Sequence, residues 1–390
     1  MSYRLHIIDC TLREGEQAAG VWFSVEEKLQ LVDALADAGV CLLDAGMPAV
    51  SADEREFLMA AVGRTSAKIG ASVRARVDEV QQALDCGVDE VFVICPVSQL
   101  HRQKRLGLSE QALEARVTSL VETIKAAGKV CNLVAEDASR AQLPVLIHAL
   151  GRGLEAGADR LFLCDTVGCW TPSMATSVVG AVRAAFPSAD LGVHCHNDFG
   201  MATANTVAAV EAGCNFPTAT INGVGERAGN ASLLEVALAG ERLLGRDARL
   251  DHDALRTVSG LVERLTGLLV PQHQPVVGFN AFRHESGIHV DGILKDPANY
   301  EALAPGVVGR SHAFVLGKHS GRALLRRFAQ DRGLAQDDAV LDRILSAVKE
   351  MQPRQARAEF DQLRRQVEHY NRTCLGVPEE ALERLFAELG

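Results

Sequence analysis

Residues 191–213 read LGVHCHNDFGMATANTVAAVEAG, and the two halves of this stretch follow different periods. LGVHCHND is a short β-rich run. TANTVAAVEAG repeats its apolar residues at i, i+3, i+4 and i+7 and closes on Gly, the pattern of an amphipathic helix with a glycine stop. The same couple recurs through the first 245 residues. Strand-like runs begin at Leu5 (LHIID), Val40 (VCLLDAG), Ala67 (AKIGASV), Glu90 (EVFVICP), Val130 (VCNLVAE), Arg160 (RLFLCDT), Leu191 and Thr218 (TATINGVG). Helical segments separate them, and most end in Gly. Eight strand–helix units in about 250 residues are the arithmetic of a (β/α)8 TIM barrel. A doubly wound sheet would open on a glycine-rich phosphate cradle, whereas the first loop here reads CTLREGEQAAG at 10–20.

After the barrel the pattern changes. Asp253 to Leu268 reads helical, and Pro271, Pro275, Gly278, Gly287 and Gly292 then mark a loop-rich stretch. Gly321–Asp331, Asp337–Met351, Arg354–His369 and Pro378–Leu389 are helical again. The expected organisation is a catalytic barrel over 1–248 and a mostly helical C-terminal region over 249–390 that carries a lid-like segment.

Composition narrows the function. The 390 residues hold 40 Lys plus Arg against 50 Asp plus Glu, a net charge of −10, which argues against a nucleic-acid binder. It leaves room for an anionic small substrate, because local cations overrule the global sign. No run is long and apolar enough for a membrane span. Ten scattered cysteines without a C-x-x-C pair read as core residues of a reduced, cytoplasmic protein.

A barrel builds its active face from the C-terminal ends of its strands. Polar residues collect there: Asp9, Thr11, Arg13, Glu14, Glu16 and Gln17 after strand 1, Glu136 and Asp137 after strand 5, and Asp165 and Thr166 after strand 6. His194, His196, Asn197 and Asp198 belong to strand 7, and Asn222, Glu226, Arg227 and Asn230 follow strand 8. His194 and His196 share one strand face, with Cys195 on the other. Two imidazoles and a carboxylate, for which Glu14 is the choice, make a facial divalent-metal site. The alternative is a hydrogen-bonded histidine pair. Arg13 suits a substrate carboxylate, or else an ion pair with Glu16 or Asp9. Glu226 and Arg227 read as a structural pair, and Asn230 as a helix N-cap whose carbonyl can also reach the metal. FRHESGIHVDGILKDPANY at 282–300 is a surface loop or a lid that carries His284, His289 and Tyr300. VLGKHSG at 315–321 is a turn or a cradle for a phosphate-bearing cofactor.

DCTLREGEQ (9–17), HCHNDFGMATAN (194–205) and NGVGERAGNASLLEV (222–236) resemble the signatures of the DRE-TIM metallolyase family. HESGIHVDGILKDPANYE (284–301) and LGKHSG look like the segment after the barrel in its acyl-CoA-condensing branch of isopropylmalate, citramalate and homocitrate synthases. VGRSHAFVLGKHSG (308–321) and the short C-terminus look most like nitrogenase-associated homocitrate synthases, with no leucine-sensing domain expected.

The resemblance implies a metal-dependent Claisen condensation of acetyl-CoA with 2-oxoglutarate and water, giving homocitrate and CoA. The same chemistry on 2-oxoisovalerate, pyruvate or phosphonopyruvate is the alternative, and a lyase of the hydroxymethylglutaryl-CoA or hydroxy-oxo-acid type is the more distant one. It implies a divalent metal (Mg²⁺, Mn²⁺ or Zn²⁺) held by Glu14, His194 and His196, with Asn230 as a further ligand. Arg13 would polarise the keto oxygen, and Gln17 and Thr166 would help to position the substrate. Glu136, His289 and Tyr300 are the candidates for acid–base work. A homodimer would bring the post-barrel segment to the neighbouring subunit's site. Lysine-pathway homocitrate synthases grip the distal carboxylate with a His, an Arg and a Ser. Ser72, Asn132 and Val134 align with those positions here, and Arg74 is the candidate to supply the missing charge.

Overall fold

The computed structural model describes residues 4–334, 337–351, 354–373 and 376–390. The first compact unit ends at Leu268 and the second begins at Leu269. In the first unit eight parallel strands close into a barrel in chain order. They are β1 (Ile8–Asp9), β2 (Leu42–Gly46), β3 (Lys68–Arg74), β4 (Glu90–Pro96), β5 (Val130–Glu136), β6 (Arg160–Asp165), β7 (Asp190–Cys195) and β8 (Phe216–Ala219). Each is followed by its helix: α1 (Val25–Asp37), α2 (Ala52–Ala61), α3 (Val77–Asp85), α4 (Glu110–Ala126), α5 (Leu143–Glu155), α6 (Pro172–Ala185), α7 (Ala202–Glu211) and α8 (Leu233–Leu244). The expected TIM barrel is the observed fold.

Local chemistry starts and stops these elements. Ser24 caps α1 in a reciprocal capping box with Glu27. Strand β1 is shorter than the LHIID run suggests, because Leu5 N–H donates to Asp247 O and His6 N–H to Asn215 O, outside the strand ladder. The barrel is filled by Ile8, Cys10, Leu42, Phe92, Phe162 and Phe216, with Val134 packed against them. Phe92 and Phe162 meet edge to face at 5.5 Å. Two glycines make room for these rings. A Cβ on Gly192 would lie 2.1 Å from the Phe162 ring, and one on Gly70 would lie 2.5 Å from Phe92.

The end of the barrel at the strand N-termini is closed by charge. Arg160 bonds Glu90 and Asn132, Asn132 also donates to Glu90, and the Arg160 guanidinium lies 4.4 Å from the Phe216 ring. Asn132 therefore belongs to this plug, and the alignment that put it beside the substrate is corrected. Ser72 and Val134, higher in the barrel, do line the mouth.

The division at 248 is corrected as well. Helix α9 (His252–Thr266) packs on α1 and on the turn after β8, where Asn222 Nδ2 donates to Ser259 O. The burial of its apolar face makes it part of the first unit.

The second unit holds a parallel pair, β9 (Arg283–His284) and β10 (Ala313–Phe314), and helices α10 (Gly287–Lys295), α11 (Arg322–Asp331), α12 (Asp338–Glu350), α13 (Arg354–Thr373) and α14 (Glu379–Leu389). Helix α10 falls where a loop was expected. It starts on a glycine because a Cβ on Gly287 would meet the Gly321 backbone at 2.7 Å. The VLGKHSG segment is a turn, closed by Gly317 N–H donating to Ser320 Oγ and Ser320 N–H to Gly317 O.

The cysteines are not all core. Seven are buried, Cys169 is half-buried and Cys41 is exposed in the connection before β2. Cys374 lies outside the described residues. No helix among the described residues is long and apolar enough to cross a membrane.

Candidate active site

The polar strand ends converge on a cavity of about 210 Å³ at the barrel mouth. Arg13, Glu14, Gln17, Arg74, Glu136, Thr166, His194 and His196 all line it. Asn230 is buried beside His194. His289 and Tyr300 belong to the second unit, where their rings pack 4.5 Å apart.

Glu14, His194 and His196 are buried, and one donor atom from each falls within 4.8 Å of the others. The two Nε2 atoms are 3.3 Å apart, and Glu14 lies 3.4 Å from His196 Nε2 and 3.8 Å from His194 Nε2. Donors held about 2.1 Å from one cation are spaced roughly 3.0–3.4 Å apart, so the cluster is the right size for a divalent ion.

Proton placement agrees. Thr218 Oγ1 donates to Val193 O at 3.2 Å, so it accepts the Nδ1–H of His194 at 2.8 Å. That leaves a lone pair on His194 Nε2, aimed at the cluster. Burial pushes the His194 imidazole down to about 3, and burial also lowers His196, so both rings are neutral ligands at pH 7. Burial pushes the Glu14 carboxyl upward, but the positive surroundings, Arg13 foremost, outweigh it, and the net shift is downward to a carboxylate. The His194 lone pair, the His196 imidazole and the Glu14 carboxylate converge on one point and suit a cation.

Asn230 is not an N-cap, for Ser232 holds that position on α8. Instead Asn230 pairs with the His196 backbone. Its Nδ2 lies 3.2 Å from His194 Nε2, and its Oδ1 is buried with no partner. A half-turn of that amide would offer the carbonyl to a cation. Gly225 is needed for this fit, because a Cβ there would lie 1.9 Å from Asn230 Oδ1.

Arg13 is held by Glu14 and by Asp44, to which it donates through Nε at 2.8 Å and Nη2 at 2.7 Å. Neither Glu16 nor Asp9 is its partner. Asp44 also accepts from Ser72 Oγ at 2.9 Å. The sequence reading missed Asp44, although it ends the apolar run VCLLDAG just as Asp9 and Asp165 end theirs.

Other polar residues brace the loops. Arg227 grips Asp198 with two bonds, reaches Thr166 O and also pairs with Glu226, so it ties three loops together rather than one. Asp165 accepts from the Cys169 and Trp170 N–H groups. Arg74 is paired with Glu79, and Glu136 with Arg105.

Asp9 accepts from Thr11 N–H and Oγ1, and Thr11 Oγ1 in turn accepts from Ile221 N–H, which joins the first loop to the last. Burial raises its carboxyl to about 7. A raised acid favours the folded state when protonated, so its stabilising contribution is complete below the ordinary value of about 4 and is lost as pH rises through 7. Wild type is therefore expected to lose roughly 2 kcal/mol relative to Asp9→Asn between pH 5 and pH 7. Denaturant unfolding of both proteins at the two pH values tests this. Parallel pH curves would show Asp9 ionised throughout.

Known proteins share this framework. Residues 4–262 match the HMGL-like family, and residues 276–356 match the homocitrate synthase post-HMGL domain-like family. A putative (R)-citramalate synthase from Methanosphaerula palustris is 42% identical over 89% of this chain and 69% of its own length. A probable 2-isopropylmalate synthase from Ignicoccus hospitalis is 39% identical over 93% of this chain and 92% of its own. A solved HMG-CoA lyase from Acenitobacter baumannii shares the fold, with a TM-score of 0.62 at 20% identity over 70% of this chain and 94% of that one. With both the barrel and the second domain matched, the chain belongs to the HMGL-like family, among the members whose barrel is followed by a homocitrate-synthase-type domain.

Proposed function

We propose that the chain condenses acetyl-CoA with a 2-oxo acid of short apolar side chain, pyruvate first and 2-oxoisovalerate next, and that water then releases CoA. The observation that carries this is the division of the cavity. Arg13 and the metal-competent cluster lie in it beside Phe92, Ile94, Val134 and Phe162, whereas the two other cations, Arg74 and Arg105, already have carboxylate partners. A second carboxylate, as on 2-oxoglutarate, would have to share one of these guanidiniums with Glu79 or Glu136. This reverses the substrate order expected from the sequence, which relied on a free Arg74. The kinship with proteins named citramalate and isopropylmalate synthases favours the same order.

Glu14, His194 and His196 would hold the cation, with the Asn230 carbonyl in reserve. A bound Mg²⁺ or Mn²⁺ would supply Lewis acidity at the keto carbonyl. Arg13, fixed by Asp44, presents a guanidinium to the keto oxygen, where negative charge develops as the new C–C bond forms. Gln17 and Thr166 offer polar contacts to the 2-oxo acid's carboxylate. Glu136 takes the proton from the acetyl methyl group, and the resulting carbanion attacks the keto carbon.

A thiol-release assay with acetyl-CoA, Mg²⁺ or Mn²⁺ and a panel of 2-oxo acids tests the reading. Pyruvate or 2-oxoisovalerate should exceed 2-oxoglutarate by about tenfold or more in kcat/KM. A preference for 2-oxoglutarate would restore homocitrate synthesis. Failure to release thiol with any acid would remove condensation altogether.

A further inference from the structure

Arg105 stands beside the proposed base in a way that the mechanism has not used. It closes a π-helical turn, Leu100–Arg105, in the loop after β4. Turns of this kind are rare and recur at functional sites. Its guanidinium forms a two-pronged pair with Glu136, with Nη1 2.8 Å from Oε1 and Nη2 on Oε2. Both residues line the cavity that holds Arg13 and the metal-competent cluster. Glu136 is 14% exposed and Arg105 50% exposed, so the base is nearly buried and its cation faces open space. His101, on the same turn, accepts from Arg140 Nη2 through Nε2, which leaves its Nδ1–H 3.7 Å from Glu136 Oε1.

We propose that Arg105 is a catalytic residue that stabilises the thioester enolate, and that Arg105 and Glu136 act as one unit. The inference rests on the condensation reading and on Glu136 as its base. Glu136 removes a proton from the acetyl methyl carbon. The C–H electron pair becomes the enolate double bond, and the negative charge passes to the thioester oxygen. Glu136 is then a neutral acid and holds a guanidinium far less strongly. Arg105 has three further N–H donors and turns to the enolate oxygen. The cation thus stays beside a single negative charge, first on Glu136 and then on the enolate. No charge is left unpaired beside the nearly buried Glu136, an outcome that desolvation disfavours. When the enolate carbon attacks the keto carbon, the charge moves on to the new alkoxide beside Arg13. The guanidinium thus meets negative charge at the oxygen where it develops in the transition state.

The test compares wild type with Arg105→Gln, Arg105→Lys and Glu136→Gln. It measures kcat, KM for both substrates and the isotope effect with trideuterated acetyl-CoA. Arg105→Gln should lower kcat by about 100-fold and leave KM for the 2-oxo acid within about threefold. Its isotope effect on kcat should rise, because C–H cleavage becomes limiting, and Arg105→Lys should recover part of the loss. A half-exposed loop arginine of merely structural value would not change the isotope effect. A raised KM for the 2-oxo acid with kcat and isotope effect unchanged would make Arg105 a substrate clamp and overturn the proposal. Full kcat in Glu136→Gln would also overturn it, since no carboxylate would then hand over its charge. If wild type itself condenses nothing, the condensation reading fails first, and the wild-type control separates that outcome from the others.

Discussion

His196→Ala is expected to abolish turnover and to empty the metal site. The imidazole supplies one of three converging donors, with its Nε2 3.3 Å from that of His194 and 3.4 Å from Glu14. Without it a divalent ion keeps one imidazole and one carboxylate, too few to compete with water and buffer. Affinity should fall by well over the roughly 100-fold that loss of an outer-shell partner costs, and kcat by about 10⁴ or more, since substrate polarisation and substrate placement are lost together. The fold should survive. His196 Nδ1 has no partner in the structure, so the truncation orphans nothing on that side, and only a small cavity results. Metal content after dialysis, read by mass spectrometry beside thiol release, decides the matter. Stoichiometric metal with full turnover in His196→Ala would remove the residue from the site. Glu14→Gln separates charge from shape, because it keeps the volume and one acceptor oxygen but removes the anion. It should bind metal weakly and unfold at nearly the wild-type temperature.

How much of this was legible in the sequence depends on the range of the interaction. The barrel was readable because each strand–helix unit announces itself locally, by a change of period and a terminal glycine. Helix α10 was not, because it begins at Gly287 for a tertiary reason: the close approach of the Gly321 backbone. The end of the first unit was misplaced for a similar reason, since α9 belongs there through its packing on α1. At the site, residues from one short stretch were found easily. His194 and His196 share a strand face, and Arg13 and Glu14 are adjacent in sequence. Pairings across strands were not visible. Nothing in the sequence says that Arg13 chooses Asp44 over Asp9, that Arg74 is claimed by Glu79, or that Asn132 lies in the plug at the far end of the barrel. These facts are set by strand register, and register changed the substrate inference as well, since a paired Arg74 is no longer a free receptor for a second carboxylate.

Asp44→Asn should separate the electrostatics of Arg13 from metal binding. Asp44 touches Arg13, Ser72 and Cys10, and it does not belong to the Glu14–His194–His196 cluster. Arg13 is almost fully buried, with a side-chain exposure of 12%. Burial disfavours its charge, and Asp44 and Glu14 more than compensate, so the guanidinium stays cationic. Asparagine at position 44 can still accept from Arg13 Nε, which preserves the rotamer, but it supplies no charge. Glu14 then becomes the only nearby anion for Arg13, and the guanidinium is drawn toward the carboxylate that should be holding metal. The donor is displaced from the keto oxygen, and an oxyanion contact misplaced in this way costs about 10²–10³ in kcat. KM for acetyl-CoA should be almost unchanged, because that substrate does not depend on Arg13. Mn²⁺ affinity, followed by calorimetry, should fall no more than about tenfold, the lower end for an outer-shell change. The contrast with His196→Ala is the content of the test: in one variant activity disappears with the metal, and in the other it disappears while the metal remains. If Asp44→Asn instead lost its metal as completely as His196→Ala, Asp44 would be acting through Glu14, and the keto oxygen would have to find its stabilising cation elsewhere than at Arg13.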